Sequence, residues 1–363
     1  MGSYVLLLFL LDYRWKRFSH RPSGIAGDRN FSLVVPFRDE LGHLPRLLDE
    51  IREKALEGEV ILVDDESTDG SFEWCTAYIN RNKLAKWKCI KSRGEGKKAA
   101  LHTGISSSRG GIIVTTDADV VFPPEWPRIL LASFDKASVK LVAGPVISIE
   151  GRGLFGAFEQ IEWASILLVT GASFDLQKPL MCSGANMAFR KDAFFEVGGY
   201  KGNEHHLSGD DEFLLKKIYT RYGKEAAVYQ KGADALVRTF AWNDPMAWIN
   251  QRARWASKWR LHRSHSHAFS AAILFLYSVF HLGTAVLLFE GPFLLLFFLL
   301  YWIGKTGGEK RVLGRILAYY GIKQKTGNYV AAGFIQPVMV ILAGILAIFG
   351  KFKWKGRKNK SKH

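Results

Sequence analysis

A chain of 363 residues, 48% hydrophobic and 23% charged, has room for about two domains or one domain with an appendage. Its net charge of +16 is unevenly placed: from Ala241 onward 18 Lys/Arg stand against three Asp/Glu, and the first 240 residues hold 32 basic against 31 acidic. A nearly neutral first part argues against nucleic acid as a partner, and basic residues flanking apolar segments point to the cytoplasmic face of a membrane or to anionic lipid.

The elements follow in chain order. Tyr4 to Leu11 is apolar for eight residues, too short to span and without the flanks of a secretory signal. With Arg14, Lys16 and Arg17 after it, residues 1–29 are expected to be a membrane-dipping segment and linker. Residues 31–36 read as a buried strand, and Leu44, Leu47, Leu48, Ile51 and Ala55 as one helical face. Residues 60–63 are the next strand and end at Asp64-Asp65, followed by a turn whose Ser67, Thr68 and Asp69 can cap a helix. Residues 87–91 and 111–116 are further strands, the latter ending at Asp117. Such alternation predicts an α/β domain over 30–265, Rossmann-like, with a mostly parallel sheet and helices on both faces. Ligands of such sheets bind at the carboxyl ends of the strands, where both acidic pairs fall. Cys75, Cys89 and Cys182 fit no zinc or thioredoxin-like pattern and read as reduced, buried thiols of a cytosolic domain.

Three acidic clusters carry candidate chemistry. Asp117-Ala118-Asp119 leaves a strand with two carboxylates, oxygen ligands of the kind Mg2+ and Mn2+ share with phosphates; a capping or turn pair is the plain alternative. Asp64-Asp65 can accept hydrogen bonds from a base or ribose, or cap the following helix. Asp210-Asp211-Glu212 opens a helix with Phe213, Leu214 and Ile218 on one face, where acidic residues suit the helix dipole or supply a general base. Arg93 to Lys98 is Gly-rich and basic without phosphate-loop spacing. His205, His206, His262, His265 and His267 read as loop residues rather than metal ligands. After Asn243-Asp244-Pro245, a helix start, Trp248, Arg252, Trp255 and Trp259 share one stripe, with Gln251 and Arg254 beside it. Arg254 can reach diphosphate oxygens and Trp255 can stack on a sugar, or the helix can lie on the membrane with Trp at the interface.

A membrane region is expected over 266–350. Its spans are about 268–289, 291–304 (short for a span, so tilted or partly re-entrant) and 329–350, the last kinked at Gln336-Pro337. Val312, Leu313, Ile316, Leu317 and Tyr320 recur at helical spacing and predict an interfacial helix over 309–325, with a cytoplasmic helix packed on the soluble domain as the alternative. The basic tail 351–363 should prefer the cytoplasm, which conflicts with three full spans, so either one segment is re-entrant or interfacial or the positive-inside tendency does not hold here.

Eight stretches together resemble glycosyltransferase family 2, inverting enzymes of the GT-A fold. They are Val35 to Glu40, Val63 to Asp69, Gly96-Lys97, Thr116 to Asp119, Ser183 to Arg190, Val197 to Tyr200, Asp210 to Leu214 and the Gln-x-x-Arg-Trp run Gln251 to Trp255. They occur in family order over about 31–260. The resemblance implies that Arg38, Glu40 and Asp65, with Asp64, hold the base and ribose of a nucleotide-sugar donor, a UDP-sugar by expectation. It gives Lys97 a supporting place there, Asp117 and Asp119 the Mg2+ or Mn2+ with the donor, and Asp211 the role of base toward the acceptor hydroxyl. Gln251, Arg254 and Trp255 would close over the diphosphate. Two positions depart from the family pattern: its usual Glu-Asp pair is Asp210-Asp211, and Tyr200 replaces the commoner Phe. The implied protein is a multi-pass enzyme of the cell membrane with a cytoplasmic catalytic domain. It moves one sugar to a lipid or membrane-associated glycan and touches membrane lipids. A processive polysaccharide synthase, and a non-catalytic scaffold that binds nucleotide sugars, are the alternatives.

Overall fold

The computed structural model describes residues 2–18, 30–54, 57–149, 151–204, 206, 208–242, 244–257 and 265–349, with the backbone of 353–354 and 357–358. Expectations for the linker after residue 18, for Ala55, His205, Asn243, Trp259 and His262, and for most of the basic tail lie outside the described residues, as do the side chains of His265 and His267. In chain order the elements are α1 (Gly2–Arg17), β1 (Phe31–Phe37), α2 (Leu44–Glu53), β2 (Glu59–Asp64), α3 (Ser71–Arg81), β3 (Trp87–Lys91), α4 (Lys97–Ser107), β4 (Ile112–Thr115) and β5 (Val120–Val121). Then come α5 (Arg128–Ala132), β6 (Leu141–Ala143), β7 (Val146–Ser148), α6 (Gly153–Asp175), β8 (Met187–Arg190), α7 (Lys191–Glu196), α8 (Asp210–Tyr222), β9 (Ala227–Tyr229) and β10 (Val237–Thr239). The last helices are α9 (Pro245–Ala256), α10 (His265–Gly283), α11 (Pro292–Tyr319) and α12 (Thr326–Phe349).

The chain forms two compact units. Ser19–Ile147 with Leu176–Thr239 make the first; Met1–Phe18, Ser148–Asp175 and Phe240–His363 make the second. The expected linear boundary near residue 265 thus gives way to an interleaved division. Helix α6, which leaves the sheet part of the chain and belongs with the terminal helices, carries no amphipathic signal. It is apolar nearly all round and buried along most of its length, the pattern of an interior helix.

In the first unit the main sheet has the order β3-β2-β1-β4-β8-β6-β9. β1 runs parallel to β2 and β4, β2 to β3 and β6 to β9; β8 alone runs against its neighbours β4 and β6. Every residue of β1 and β4 is buried, so this sheet is covered on both faces, as a continuous run of Val, Ile and Leu requires. The face of α2 expected from its spacing is the buried one: Leu44, Leu47, Leu48 and Ile51. Helix α4 lies close on the sheet because Gly104 has no Cβ, which would fall 2.5 Å from Val34 Cγ1. A second sheet, β5-β10-β7, stands beside the loop that follows β4.

The second unit is built of α1, α6, α9, α10, α11 and α12. Two expected elements here are corrected. The short span 291–304 and the interfacial helix 309–325 are one helix, α11, which runs through Gly307 and Gly308. Its polar stretch is not laid on an interface: Val312, Leu313, Ile316 and Leu317 are buried, Lys305 pairs with Glu309 at 2.7 Å, and Tyr4 donates to Glu309 at 2.7 Å. Asp12 of α1 is buried between Lys16 (2.9 Å) and Arg315. The segment 268–289 is helical only to Gly283 and then tightens into a 3-10 turn, Thr284–Leu288. Among the described residues, α12 alone is long and apolar enough to cross a membrane, so three full spans are not supported. Its residues Val330, Phe334, Val338, Leu342 and Ile345 form an exposed apolar stripe, and the helix runs through Pro337.

Glu159 of α6 is 1% exposed and accepts the Trp242 backbone N–H at 2.9 Å. Burial pushes its carboxyl up from 4.5 to about 7, against the pull of Arg252. The folded state therefore holds a proton that the unfolded chain has lost, and stability falls as pH rises from about 4.5 to about 7. Glu159→Gln keeps the acceptor and removes the ionisation. It should raise stability at pH 8 by up to about 3 kcal/mol and flatten that pH slope, as measured by denaturant unfolding in detergent.

Candidate functional site

The register of the parallel strands aligns their carboxyl ends: Phe37 pairs with Asp64, and Asp64 with Lys91. The loops that follow are tied to one another by side chain to backbone bonds. The Arg38 guanidinium donates to the Asp65 carbonyl at 2.9 Å and lies 3.6 Å from the Asp39 and Glu66 carboxylates. Asp39 and Glu66 both have positive φ, 48° and 59°, a backbone state that side chains other than glycine adopt at some cost. Ser67 Oγ accepts from the Asp39 N–H, and Asp39 Oδ1 accepts from the Thr68 N–H, so the two strained loops brace each other. Asp64 is buried and accepts the Ser67 N–H at 3.1 Å; Asp65 is buried and accepts the Gly96 N–H at 2.7 Å. Glu40 is half-buried and paired with His43 at 2.7 Å.

The Asp65 bond sets the start of α4. Gly96, at φ 97°, is the turn that only glycine takes readily, and Lys97 follows as the first helical residue. Lys97 Nζ reaches Asp117 Oδ1 at 2.5 Å and Asp210 Oδ2 at 3.4 Å. Its neighbour Lys98 turns the other way: it is buried and donates to the Asn203 carbonyl at 2.6 Å. Burial alone would lower the Lys97 ammonium, but Asp117 and then Asp210 hold it above its ordinary value. Burial pushes the Asp117 carboxyl up; Lys97 pulls it back and Asp119 pushes it again. Asp117 and Asp119 are both half-exposed, with buried Ala118 between them, in the bend that joins β4 to β5. Thr239 Oγ1 lies 3.4 Å from Asp119 Oδ2.

Asp211 is held from two sides. Its Oδ1 accepts the Glu212 N–H at 2.7 Å, and its Oδ2 the Gly184 N–H at 3.2 Å. Gly184 must lack a side chain here, since a Cβ would stand 2.8 Å from Asp210 Oδ2. Beside it, fully buried Asn186 donates to the Pro145 and Ala235 carbonyls at 2.8 Å and accepts from Trp126 Nε1 at 3.0 Å. Tyr200 is buried, and burial together with Asp210 and Asp211 pushes its hydroxyl well up. The structure therefore brings Lys97, Asp117, Asp119, Asp210 and Asp211 to one edge of the sheet, with Arg38, Glu40, Asp64 and Asp65 in the adjoining loops.

Gln251, Arg254 and Trp255 lie on α9, in the helical unit. Asp244 caps α9, accepting the Met246 and Ala247 N–H groups. Gln251 Oε1 accepts from Trp242 Nε1 at 3.1 Å, and Arg254 and Trp255 are half-exposed. The Trp255 ring carries the Arg252 guanidinium 4.2 Å from its centre.

Residues 32–198 match the model of glycosyl transferase family 2. These residues are a family 2 glycosyltransferase domain. Its fold is GT-A-like: a mannosyltransferase from Pyrobaculum calidifontis, solved with GDP-Man and Mn2+, superposes with a TM-score of 0.57 over 94% of each chain at 17% identity. An undecaprenyl-phosphate 4-deoxy-4-formamido-L-arabinose transferase of Pseudomonas aeruginosa (strain LESB58) is 39% identical over 104 residues, 27% of this chain and 31% of that protein. A protein of the same description from Aeromonas hydrophila subsp. hydrophila is 35% identical over 109 residues, 28% and 33% of the two. The chain thus spans about a third of the length of these curated relatives.

Within the family 2 domain the sequence carried no signal for the work of Asn186 and Gly184 beyond their place in a family stretch. A buried amide that bonds three separate segments looks, in sequence, like any polar residue. Nor did spacing separate Lys97 from Lys98. Lys97→Met would leave Asp210, 6% exposed, and Asp117 without the ammonium that lies 3.4 Å and 2.5 Å from them. It should cost about 3 kcal/mol at pH 8 and less at pH 5, where the carboxylates take up protons. Thermal unfolding at the two pH values checks this.

Proposed function

We propose that this chain is a membrane-associated inverting glycosyltransferase that moves a sugar from a nucleotide-diphosphate donor to a hydroxyl of a lipid or membrane-associated glycan. The observation that carries this reading is the carboxylate cluster around Lys97, set at the carboxyl edge of a family 2 domain. Arg38, Glu40 and Asp65 take the base and ribose, with Asp64 bracing the turn that presents them. Lys97 stands where diphosphate oxygens would need a cation. Gln251, Arg254 and Trp255 contribute to donor binding by virtue of their motif.

Asp211 is the general base. Its two oxygens are fixed by backbone N–H groups, which orients the carboxylate without neutralising it. The acceptor oxygen gives its proton to Asp211 and forms a bond to the anomeric carbon. The bond from that carbon to the diphosphate oxygen breaks on the opposite face, and the electron pair leaves with the diphosphate.

A divalent cation fits Asp117 and Asp119. Both are half-exposed oxygen donors, two residues apart, just past the end of β4. Among the described residues no group of three or more His, Cys, Asp or Glu could hold a metal. Asp117 and Asp119 would hold Mg2+ or Mn2+ together with the donor's phosphates. When bound, such an ion neutralises charge developing on the leaving diphosphate. Helix α12 and the basic residues around it support association with a membrane, with the sheet unit on the cytoplasmic side.

The reading is tested by release of nucleoside diphosphate from a donor panel, UDP-sugars first, with lipid-linked glycan or polyprenyl phosphate as acceptor. Transfer to the hydroxyl acceptor is expected, and no turnover of any donor would overturn the reading. Asp211→Asn should lower that transfer by about a hundredfold to ten-thousandfold while nucleotide affinity is kept; loss of both would mean Asp211 binds rather than acts as base. Chelation, or Asp119→Asn, should abolish transfer, and Mn2+ should restore it only in the unsubstituted protein.

A further inference from the structure

We infer that Arg252, which lies inside the Gln-x-x-Arg-Trp run but is none of its defining residues, is the positioning residue for that run. The inference rests on the reading that Gln251, Arg254 and Trp255 take part in transfer. Arg252 is 8% exposed, an unusual burial for a guanidinium. Its Nε donates to Glu162 Oε1 at 2.7 Å and its Nη2 to Glu162 Oε2, a two-pronged pairing with α6. Its remaining amino nitrogen, Nη1, donates to Gln251 Oε1, which also accepts from Trp242. That oxygen is therefore held by two donors, and the orientation of the Gln251 amide is set.

The flat faces of the guanidinium are equally engaged. Its carbon lies 4.2 Å from the centre of the Trp255 ring, 4.7 Å from Trp248 and 5.5 Å from Trp163. Trp163 meets Trp255 edge-on at 5.9 Å. One side chain thus fixes both ends of the motif, Gln251 through a hydrogen bond and Trp255 through stacking, and anchors them to α6. A lysine cannot do this: it has neither the fork for a carboxylate nor a plane to stack. Stability alone does not call for such a residue, because an apolar pair of similar volume often replaces a buried ion pair without loss.

The test follows from that difference. Arg252→Lys, and the pair Arg252→Met with Glu162→Met, are made in the full chain in detergent beside Trp255→Ala. The melting temperature, nucleotide affinity, KM and kcat for transfer are measured. Expected is a kcat lowered about tenfold to a hundredfold in both Arg252 variants, with nucleotide affinity kept and the Met pair melting close to the parent protein. Adding Trp255→Ala to Arg252→Lys should cost little more than Trp255→Ala alone, since both remove one arrangement. If Trp255→Ala cripples transfer while Arg252→Lys leaves kcat unchanged, or if the two costs add in full, Arg252 does not act through the motif and the inference falls alone. If kcat follows melting temperature across the variants, Arg252 is only structural. If Trp255→Ala leaves transfer intact, the motif's role falls and this inference with it.

Discussion

The ammonium of Lys97, set among carboxylates, is the constraint on which the sheet unit is arranged. Lys97 is reached by Asp117 from the end of β4 and by Asp210 from the start of α8, and Asp211 and Asp119 stand next to these. A cation between them lowers the cost of two chain segments, far apart in sequence, ending in acid at one place. Much of the surrounding backbone serves to put it there. Asp65 accepts from Gly96, Gly96 takes the turn that opens α4, and Gly184 gives up a side chain so that Asp210 can come close. The positive φ at Asp39 and Glu66 belongs to the same edge: strain sits where loops are bent to present Arg38 and Asp65 rather than to suit themselves.

The helical unit solves the opposite problem. Leu6, Leu10, Phe280, Phe297 and Phe349 are exposed on it, while several charged groups are paired within it. Lys305 with Glu309 and Tyr4, Asp12 with Lys16 and Arg315, and Arg252 with Glu162 are each closed by hydrogen bonds rather than left to solvent. Such pairs contribute little net stability, yet an unmatched member would be costly. They therefore specify which helices meet. Two of the three tie the first helix of the chain to α11, some three hundred residues later.

Much of this was legible in the sequence where a local period or a strand-end acid carried it. The parallel strands β1, β2 and β4 and the α2 face follow from their runs of Val, Ile and Leu, and β2 and β4 run into the acidic residues of the carboxyl edge. The helical unit was read less well, because apolar length says little about which residues a helix buries. The amphipathic stretch 312–320 does have one buried face, but its partners are protein helices, and the pattern is the same for either surroundings. Helix α6 gave no signal at all, since a helix buried on all sides has no polar face to announce its period.

From the sequence alone came the kind of fold, the family of the domain and the set of ionisable residues worth examining, all of which depend on short-range pattern and residue chemistry. Only the tertiary structure decided that Lys97 pairs with Asp117 and Asp210, that Asn186 joins three segments, and that Arg252 rather than Arg254 is the buried arginine of its run. These depend on where a helix begins to within a residue and on what lies opposite it. Both are set by contacts between segments distant in the chain, which leave no trace in local spacing.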